Sequence, residues 1–337
     1  MSILCRVAGL ALSSVVSASA LGWGAAGHQS AGAIADVLIA GSHAAGQTRS
    51  LLGPWSLRTA ALWADCAKGV VRAADGYAYA PARHYPECAV FETPQYEAEM
   101  VDFVRRNDSQ CRPGAGEEAC HRQYHYSDIA WQRGAYLPGA AGSSDHDVVA
   151  AVSAAVLVLR GGSAPAPFSI AGPREALLLL AHLVGDMHQP LHVGAVYLDA
   201  DGAMVDPDRD GDDPATHTRG GNAIRLGHGS LHALWDSVPR RFGPERALDT
   251  LLPLARRVAP TPGDNTAWPR VWADETVALS AQAFAGIAFG VREGRGGDAA
   301  WSARLPDGYE RMREDIDRRQ LARAGARLAQ LLQTIWP

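Results

Sequence analysis

The chain has 337 residues, of which 47% are hydrophobic and 20% are charged, and its formal net charge is −5. This composition is ordinary for a soluble globular enzyme, and the length allows one large domain or two smaller ones. No apolar run long enough to span a membrane occurs in the body of the chain. The acidic balance argues against a phosphate-binding surface made of basic side chains, so a protein of this charge that binds phosphates needs cations from elsewhere.

Residues 1–22 have the layout of a secretory signal peptide: a basic start at Arg6, a stretch of small apolar residues, and small residues at the end. Two cleavage positions are open. A cut after Ala20 fits the usual peptidase preference better, whereas a cut after Gly22 leaves Trp23 as the new N-terminus. We therefore expect a secreted or periplasmic protein whose formal charge becomes −6 when Arg6 is removed.

Four cysteines remain after the signal is removed, namely Cys66, Cys88, Cys111 and Cys120. An even number of cysteines in an exported chain predicts two disulfides, and four cysteines allow three pairings. The pairs Cys66–Cys88 and Cys111–Cys120 are favoured because both close local loops. No Cys-x-x-Cys pair occurs, so a zinc site made of cysteines is not expected.

Helical patterns dominate the chain, and few alternating β-type runs occur, which favours an all-α fold in one compact domain over residues 23–337. The first helix is predicted over 31–40 with Ser30 as its cap, and the second over 57–68 with Ser56 as its cap. The remaining predicted helices cover residues 145–160, 173–187, 230–236, 275–292 and 309–336.

Two segments do not show a core-helix pattern. Residues 69–121 hold three of the four remaining cysteines and many turn residues, which predicts an insertion pinned by disulfides. Residues 197–221 are rich in Asp, Gly and Pro and predict a surface loop. Residues 206–211 within it resemble the start of a calcium loop, but His217 occupies the position where an EF-hand has Glu, so an EF-hand is not predicted.

The most informative segment runs from His182 to His192. His182 and Asp186 are four residues apart on a predicted helix, so both project from one face. Imidazole and carboxylate groups in one short stretch suit zinc. The same spacing recurs at His232 and Asp236 in a second apolar helix. One such pair is weak evidence, whereas two pairs in one chain favour a metal site.

Three further motifs place a His or Asp beside aromatic or small residues: Trp23 with His28, Trp63 with Asp65, and His125 between Tyr124 and Tyr126. The order of all these motifs, with a Gly-Gly-Asn run at 220–222, resembles the S1/P1-type single-strand nucleases. That family shares its fold with the zinc-dependent bacterial phospholipases C. The resemblance covers residues 23–236 and resumes at 324–329, which are similar to the closing helix of the family. The long stretch between Asp65 and His125 departs from the fungal members and resembles the insert of bacterial ones.

The resemblance implies a multi-helix domain of the zinc phospholipase C/nuclease type that binds three Zn²⁺ ions. The first ion would be held by Asp65, His125, His182 and Asp186, and the second by His192, His232 and Asp236. The third would be held by His28, by Asp186 as a bridge, and by the amine and carbonyl of Trp23. An α-amine has a pKa of roughly 7.7–8.0 and readily loses its proton to a metal. This chemistry predicts cleavage before Trp23, against the peptidase preference.

Further site residues follow from the same resemblance. Lys68, the single lysine of the chain, lies three residues after Asp65 and would meet the charge of the scissile phosphate. The alternative is a solvated lysine at a helix end. Tyr126 would stack on a base and Asp128 would accept from its amino groups. The alternative for this pair is a core ring and a capping carboxylate. Asn222 could donate to phosphate or base.

The resemblance implies an endonuclease that cleaves single-stranded DNA and RNA to 5′-phosphorylated products, with 3′-nucleotidase activity as a further expectation. Asp65, Lys68 and Asp186 would be its catalytic residues. One alternative is a phospholipase C, but that branch has Glu where this chain has Asp236, and the Tyr126 pair suits a base. The other alternative is a non-catalytic zinc-binding protein. No protein partner is evident, and a monomer without membrane partners is expected.

The other histidines are predicted to have supporting roles. His188 lies between two predicted ligands, and either an orienting role or solvent exposure is expected for it rather than metal binding. Four more are predicted to be surface groups or groups that support the ligands: His84, His121, His217 and His228.

Overall fold

The computed structural model describes residues 23–82, 85–114, 117–227 and 229–337. The predicted signal peptide, residues 1–22, lies outside these residues. Two of the histidines expected at the surface, His84 and His228, also lie outside them. Among the described residues, no helix is both long enough and apolar enough to cross a bilayer.

The described chain is mainly helical, at about 53% of residues. Short 3₁₀ turns join many of the α-helices. The α-helices are α1 (Ala25–Ile39), α2 (His43–Leu52), α3 (Leu57–Ala60), α4 (Trp63–Ala67), α5 (Pro94–Gln110), α6 (Cys120–Gln123), α7 (Val148–Leu159), α8 (Pro173–Asp186), α9 (Pro207–Asp210), α10 (Leu231–Asp236), α11 (Ala247–Thr250), α12 (Leu252–Ala255), α13 (Trp268–Phe284) and α14 (Tyr309–Ile335).

Short strands form small sheets between the helices. They are β1 (Val70–Ala73), β2 (Gly76–Tyr79), β3 (Ile129–Ala130), β4 (Gly194–Ala195), β5 (Tyr197–Leu198), β6 (Met204–Val205), β7 (Ile224–Leu226), β8 (Gly229–Ser230), β9 (Ala288–Glu293) and β10 (Ala300–Arg304). The largest sheet has the order β8-β7-β10-β9, with β7 and β10 parallel. The all-α expectation therefore describes the bulk of the fold but not these strands, most of which have only two to four residues and are too short to show an alternating pattern.

Helix α8 is the centre of the molecule. It begins at Pro173, where a missing N–H costs nothing, and every residue from 176 to 186 is buried. A helix that is apolar all round must be surrounded by others, and α8 packs against α1, α4, α7 and α14. Its C-terminal turn, which carries His182 and Asp186, therefore lies in the interior.

Several predicted helix positions are confirmed, and others are wrong in part. Ser56 caps α3 by accepting from the Thr59 N–H at 3.4 Å. Ser30 is not a cap, because α1 begins five residues earlier and the Ser30 hydroxyl lies buried, 2.8 Å from the Phe242 carbonyl. The helix predicted to end at Arg292 ends at Phe284, and strand β9 follows it. The helix predicted over 57–68 is divided into α3 and α4.

Both favoured disulfides, Cys66–Cys88 and Cys111–Cys120, are present. The expectation that residues 69–121 contain no core helix is wrong, because α5 places Met100, Phe103 and Val104 in the main apolar core. The charged residues on the outer face of α5 outnumber its buried apolar residues, so the helical pattern is not evident from the sequence.

The predicted surface loop at 197–221 is exposed over much of its length, but it begins with two buried residues, Tyr197 and Leu198, in strand β5. The acidic side chains of its calcium-like start have partners within the protein. Asp206 caps α9 by accepting from the Asp208 N–H, Asp208 pairs with Arg133, and Asp210 pairs with Arg209.

Candidate functional site

The ends of several helices and turns bring the eight predicted His and Asp ligands into one buried region. They are His28 on α1, Asp65 on α4, His125 after α6, His182 and Asp186 on α8, His192 in the turn after α8, and His232 and Asp236 on α10. Residues separated by up to about two hundred positions thus meet, because α1 packs against α8 and the turn after α8 reaches the end of α10.

Four ligand atoms predicted for the first ion lie close together. His182 Nε2 is 3.0 Å from Asp186 Oδ2 and 3.0 Å from His125 Nδ1, and His125 Nδ1 is 2.9 Å from Asp186 Oδ2. Asp65 Oδ1 is 3.7 Å from His125 Nδ1 and 3.6 Å from His182 Nε2. A tetrahedral zinc ion with bonds of about 2.0–2.1 Å separates its ligand atoms by roughly 3.3 Å, so this set of donors fits zinc.

The second group has three donors. His192 Nε2 and His232 Nε2 are 3.1 Å apart, and His232 Nε2 is 3.4 Å from Asp236 Oδ2. His192 Nε2 is also 3.7 Å from Asp236 Oδ1. Three protein donors leave a tetrahedral ion one position for water or substrate, which is the arrangement of catalytic zinc sites.

His28 faces the other oxygen of Asp186, with its Nε2 3.2 Å from Asp186 Oδ1. Neither atom has a hydrogen-bond partner in the protein, although both are buried. Buried polar atoms without partners are costly, and a cation between them would satisfy both. Trp23 is fully buried nearby, and the next residue, Gly24, donates its N–H to the Asp236 carbonyl at 2.9 Å.

Backbone carbonyls determine which ring nitrogen several histidines present to the groups. The Nδ1–H of His182 donates to the Ala61 carbonyl at 2.6 Å, and that of His192 donates to the His125 carbonyl at 2.8 Å. The Nδ1–H of His232 donates to the Gly220 carbonyl at 2.7 Å. These bonds fix the tautomers, so each Nε2 presents its lone pair to the group, as in zinc sites.

The electrostatic environment keeps two of the carboxylates, Asp65 and Asp186, ionised. Burial alone raises the pKa of Asp186, but the charges of His182 and His192 outweigh it and hold that pKa well below its usual value. For Asp65, burial is likewise outweighed, first by Lys68, and its pKa is lowered. Burial and the charge of Lys68 lower the pKa of His125 to about 3.

The remaining imidazoles divide into two sets. Burial lowers the pKa of His28 and of His232, so both are neutral donors near neutral pH. The carboxylates outweigh burial at His182 and His192 and raise their pKa values, to about 9 for His192. A bound metal would compete with a proton at these two rings.

Lys68 is part of the site rather than a solvated side chain. Its Nζ donates to Asp65 Oδ1 at 2.7 Å, and its side chain is 15% exposed. Arg122 donates to the Lys68 carbonyl at 2.8 Å and fixes the backbone there. The only lysine of the chain thus lies at the edge of the first donor group with its charge directed towards it.

Tyr126 and Asp128 follow His125 and lie beside the second group. The Tyr126 side chain is half-buried, and Asp128 Oδ1 is buried without a hydrogen-bond partner. Burial raises the pKa of Asp128 to about 6. Gly220 approaches this carboxylate in a left-handed turn, with φ of +56°, where a Cβ would lie 2.6 Å from the Leu191 carbonyl. The side-chain amide of Asn222 donates within the same turn, to the Arg219 carbonyl at 3.0 Å.

The sequence did not point to two further groups at the site. Gln189 is fully buried and donates to Asp236 Oδ1 at 2.9 Å; its only signal in the sequence is a polar residue between two ligands. Tyr85 and Glu87, from the insertion, line a small pocket with Asp65. Their sequence context carries no signal, because the disulfide from Cys88 to Cys66 brings them there.

His188 and His121 are both buried, so solvent exposure of His188 is ruled out. His121 lies 3.1 Å from Asp108. His217, in contrast, contacts Asp212 at the surface.

Gly185 has no side chain, and this allows His28 to lie against α8. A Cβ at this position would be 2.7 Å from His28 Nδ1, so Gly185→Ala must displace the imidazole. We expect a loss of about 1–3 kcal/mol in the free energy of unfolding, measured by urea denaturation. The matched control is Gly46→Ala in α2, where a Cβ meets nothing within 4 Å. Equal stability of the two variants would contradict the close contact.

Comparison with known families agrees with this geometry. A family model described as S1/P1 Nuclease matches residues 23–337, and therefore spans all of the donor groups, the insertion and the closing helix. No curated protein matches the chain. Because the family match covers nearly the whole length, this chain belongs to the S1/P1 nuclease family.

Proposed function

We propose that this nuclease is a zinc-dependent endonuclease that hydrolyses single-stranded DNA and RNA to products with 5′-phosphates. The observation that carries the proposal is the Asp186 carboxylate, whose two oxygens face different groups of buried histidines at 2.9–3.2 Å. A carboxylate between two groups of imidazole nitrogens is suited to bridge two cations. The nuclease activity itself follows from family membership.

The proposed site holds three Zn²⁺ ions. Asp65, His125, His182 and Asp186 would hold the first, His192, His232 and Asp236 the second, and Asp186, His28 and the N-terminal Trp23 the third. Bound zinc supplies Lewis-acid chemistry, which activates water and stabilises a departing oxyanion. The three ions would also offset the acidic charge of the chain where the phosphate binds.

Lys68 supplies a fixed positive charge beside the scissile phosphate. Its ammonium is held by Asp65 at 2.7 Å, so it is oriented before substrate arrives. A preorganised cation stabilises charge that develops on phosphate oxygens more strongly in a buried site than in water. Asp65 therefore has two roles in the proposal, as a zinc ligand and as the group that positions Lys68.

Tyr126 and Asp128 would bind one base of the substrate. A half-buried ring stacks on any base, and the free Asp128 Oδ1 accepts from base amino groups. A base that stacks in such a pocket must be unpaired, which favours single strands. Asn222 lies in the turn beside Asp128 and would contact phosphate or base. We assign no residue to a 2′-hydroxyl, so RNA and DNA are both substrates.

Export completes the proposal. The two disulfides form in an oxidising compartment, which agrees with a secreted or periplasmic location. Removal of residues 1–22 would leave one nuclease domain, 23–337, and would free the Trp23 amine. The family match begins at this same residue.

The zinc count and the mature N-terminus test the metal site. We expect the exported protein to begin at Trp23 and to contain three zinc ions per chain, because the freed amine completes the third set of donors. Elemental analysis and N-terminal sequencing measure both. A fully active protein that begins upstream of Trp23 would contradict the third set, and an active protein without zinc would contradict the whole site.

Asp186→Asn tests the bridging carboxylate. Asparagine keeps the shape but offers one oxygen and no charge, so we expect lost zinc and a fall in kcat of about 10³-fold or more. The matched control is Asp147→Asn, a change at a buried carboxylate that caps α7 instead. That variant should keep its zinc and its activity. Turnover close to wild type in Asp186→Asn contradicts the bridge.

A substrate panel separates the nuclease proposal from phospholipase activity. Single-stranded DNA and RNA should be cleaved with kcat/KM values within about a hundredfold of each other, because no 2′-hydroxyl contact is proposed. Duplex DNA should be cleaved more slowly, and phosphatidylcholine should not be cleaved. Gel assays and product analysis for 5′-phosphates measure this. Hydrolysis of phosphatidylcholine with intact nucleic acids would overturn the proposal in favour of a phospholipase C.

A further inference from the structure

The C-terminal helix α14 carries three buried polar side chains at seven-residue intervals: Arg313, Gln320 and Arg327. They are 5%, 1% and 6% exposed, although their neighbours on this face are mostly apolar. A spacing of seven residues is close to two helical turns, so the three side chains lie in one row along α14. Each has a hydrogen-bond partner outside α14, and each partner lies one or two residues after a proposed zinc ligand.

Arg327 and Gln320 both bind His188. Arg327 Nη1 donates to His188 Nε2 at 3.0 Å, and Gln320 Nε2 donates to the His188 carbonyl at 2.9 Å. The Nδ1–H of His188 donates to the Val184 carbonyl at 2.7 Å, so the ring is a neutral tautomer with an accepting Nε2. Both the side chain and the backbone of His188 are therefore held by α14.

His188 belongs to the turn between two proposed zinc ligands, Asp186 and His192. The same turn contains Gln189, which donates to a third proposed ligand, Asp236, at 2.9 Å. Displacement of this turn would move ligands of all three proposed ions. Its backbone is tied to α8 by the His188 N–H, which donates to the Gly185 carbonyl at 2.9 Å.

Arg313 acts in the same way at the second ligand-bearing helix. Its Nη1 donates to the carbonyl of Ser237 at 3.0 Å. Ser237 is the first residue after Asp236 and ends α10. One row of side chains on α14 thus contacts the residues that follow both proposed ligand helices, α8 and α10.

The two arginines in the row are paired with carboxylates. Arg313 lies 2.7 Å from Asp317, and Arg327 contacts both oxygens of Glu275 at 2.9 and 2.7 Å. The row therefore presents N–H donors to the turns without a large positive field that would repel bound cations. Such paired, buried groups are rarely more stabilising than well-packed apolar side chains. Their directional bonds point to a role in position rather than in stability.

We propose that Arg313, Gln320 and Arg327 are positioning residues for the zinc site. They hold the turns after α8 and α10 through His188 and Ser237, and in this way they set how tightly zinc is retained. Partners of this kind outside the ligand set commonly change metal affinity by about 10–100-fold when they are removed. The inference rests on the proposed zinc ligands. It differs from a purely structural role, in which α14 only adds stability to the bundle.

The test compares zinc release from full-length mature protein that has been loaded with zinc. A chromogenic chelator in excess reports the rate. Arg327→Met removes the donor to His188, and we expect release to become about 10–100-fold faster. The matched control is Arg106→Met on α5, where a partly buried arginine pairs with Glu175 and Asp102 rather than with the turns after α8 and α10. Its release rate should stay within about twofold of wild type.

Two further variants make the result decisive. Arg327→Lys keeps a donor and a charge, so it should restore part of the slow release. Gln320→Met removes a single neutral hydrogen bond and serves if Arg327→Met does not fold; several-fold faster release is expected. Cobalt(II)-substituted protein gives a second measurement, because its visible bands respond to ligand geometry and should shift in Arg327→Met but not in Arg106→Met.

Each outcome has one meaning. Equal release rates for Arg327→Met and Arg106→Met, whether both slow or both fast, overturn the proposed positioning role and leave α14 a structural role. Faster release only in the α14 variants supports it. A wild-type protein that binds no zinc contradicts the proposed function instead, so failure of the inference and failure of the function are distinguished.

Discussion

The structure depends on one buried carboxylate. Asp186 ends the central helix α8 with no exposure to solvent, and its two oxygens face His28 on one side and His125 with His182 on the other. An ionised group at this depth is tolerated only with positive or hydrogen-bonding partners, so the surrounding elements must bring these to it. Helices α1 and α8 and the turn after α6 meet at this carboxylate and supply those partners. The apolar packing around α8 in turn makes the low-dielectric setting in which a bound cation would interact strongly with the site.

Several contacts hold the donor groups around this carboxylate in place. Backbone carbonyls of Ala61, His125 and Gly220 select the ring nitrogens that face the donor groups. Gln189 links the turn after α8 to Asp236, and α14 holds the same turn from the other side. The Cys66–Cys88 disulfide begins one residue after Asp65 and ties the insertion to the site. Each support comes from a different segment, so the site forms only when the whole domain is packed.

The acidic charge of the chain is consistent with a nuclease once the site is considered by itself. Lys68 is paired with Asp65, and three aspartates with five histidines form a donor set that attracts divalent cations rather than phosphate. In the proposed function, phosphate binding depends on the cations, and base binding depends on Tyr126 and Asp128. The insertion adds Tyr85 and Glu87 beside Asp65, where they line a small pocket.

Local periodicity was enough to predict part of this protein. The pairs His182–Asp186 and His232–Asp236 are spaced by one helical turn, so their shared faces follow from the sequence, as do α8, α10, α14 and the cap at Ser56. The order of motifs was enough to indicate the family. The sequence did not reveal α5, the short strands, or the roles of Gln189 and Arg327. Arg327 and its partner His188 are 139 residues apart, and two strand pairs, β7 with β10 and β3 with β4, join distant segments. Such contacts are decided by how the helices pack, because spacing along a chain determines which residues share a face but not which distant groups that face will meet.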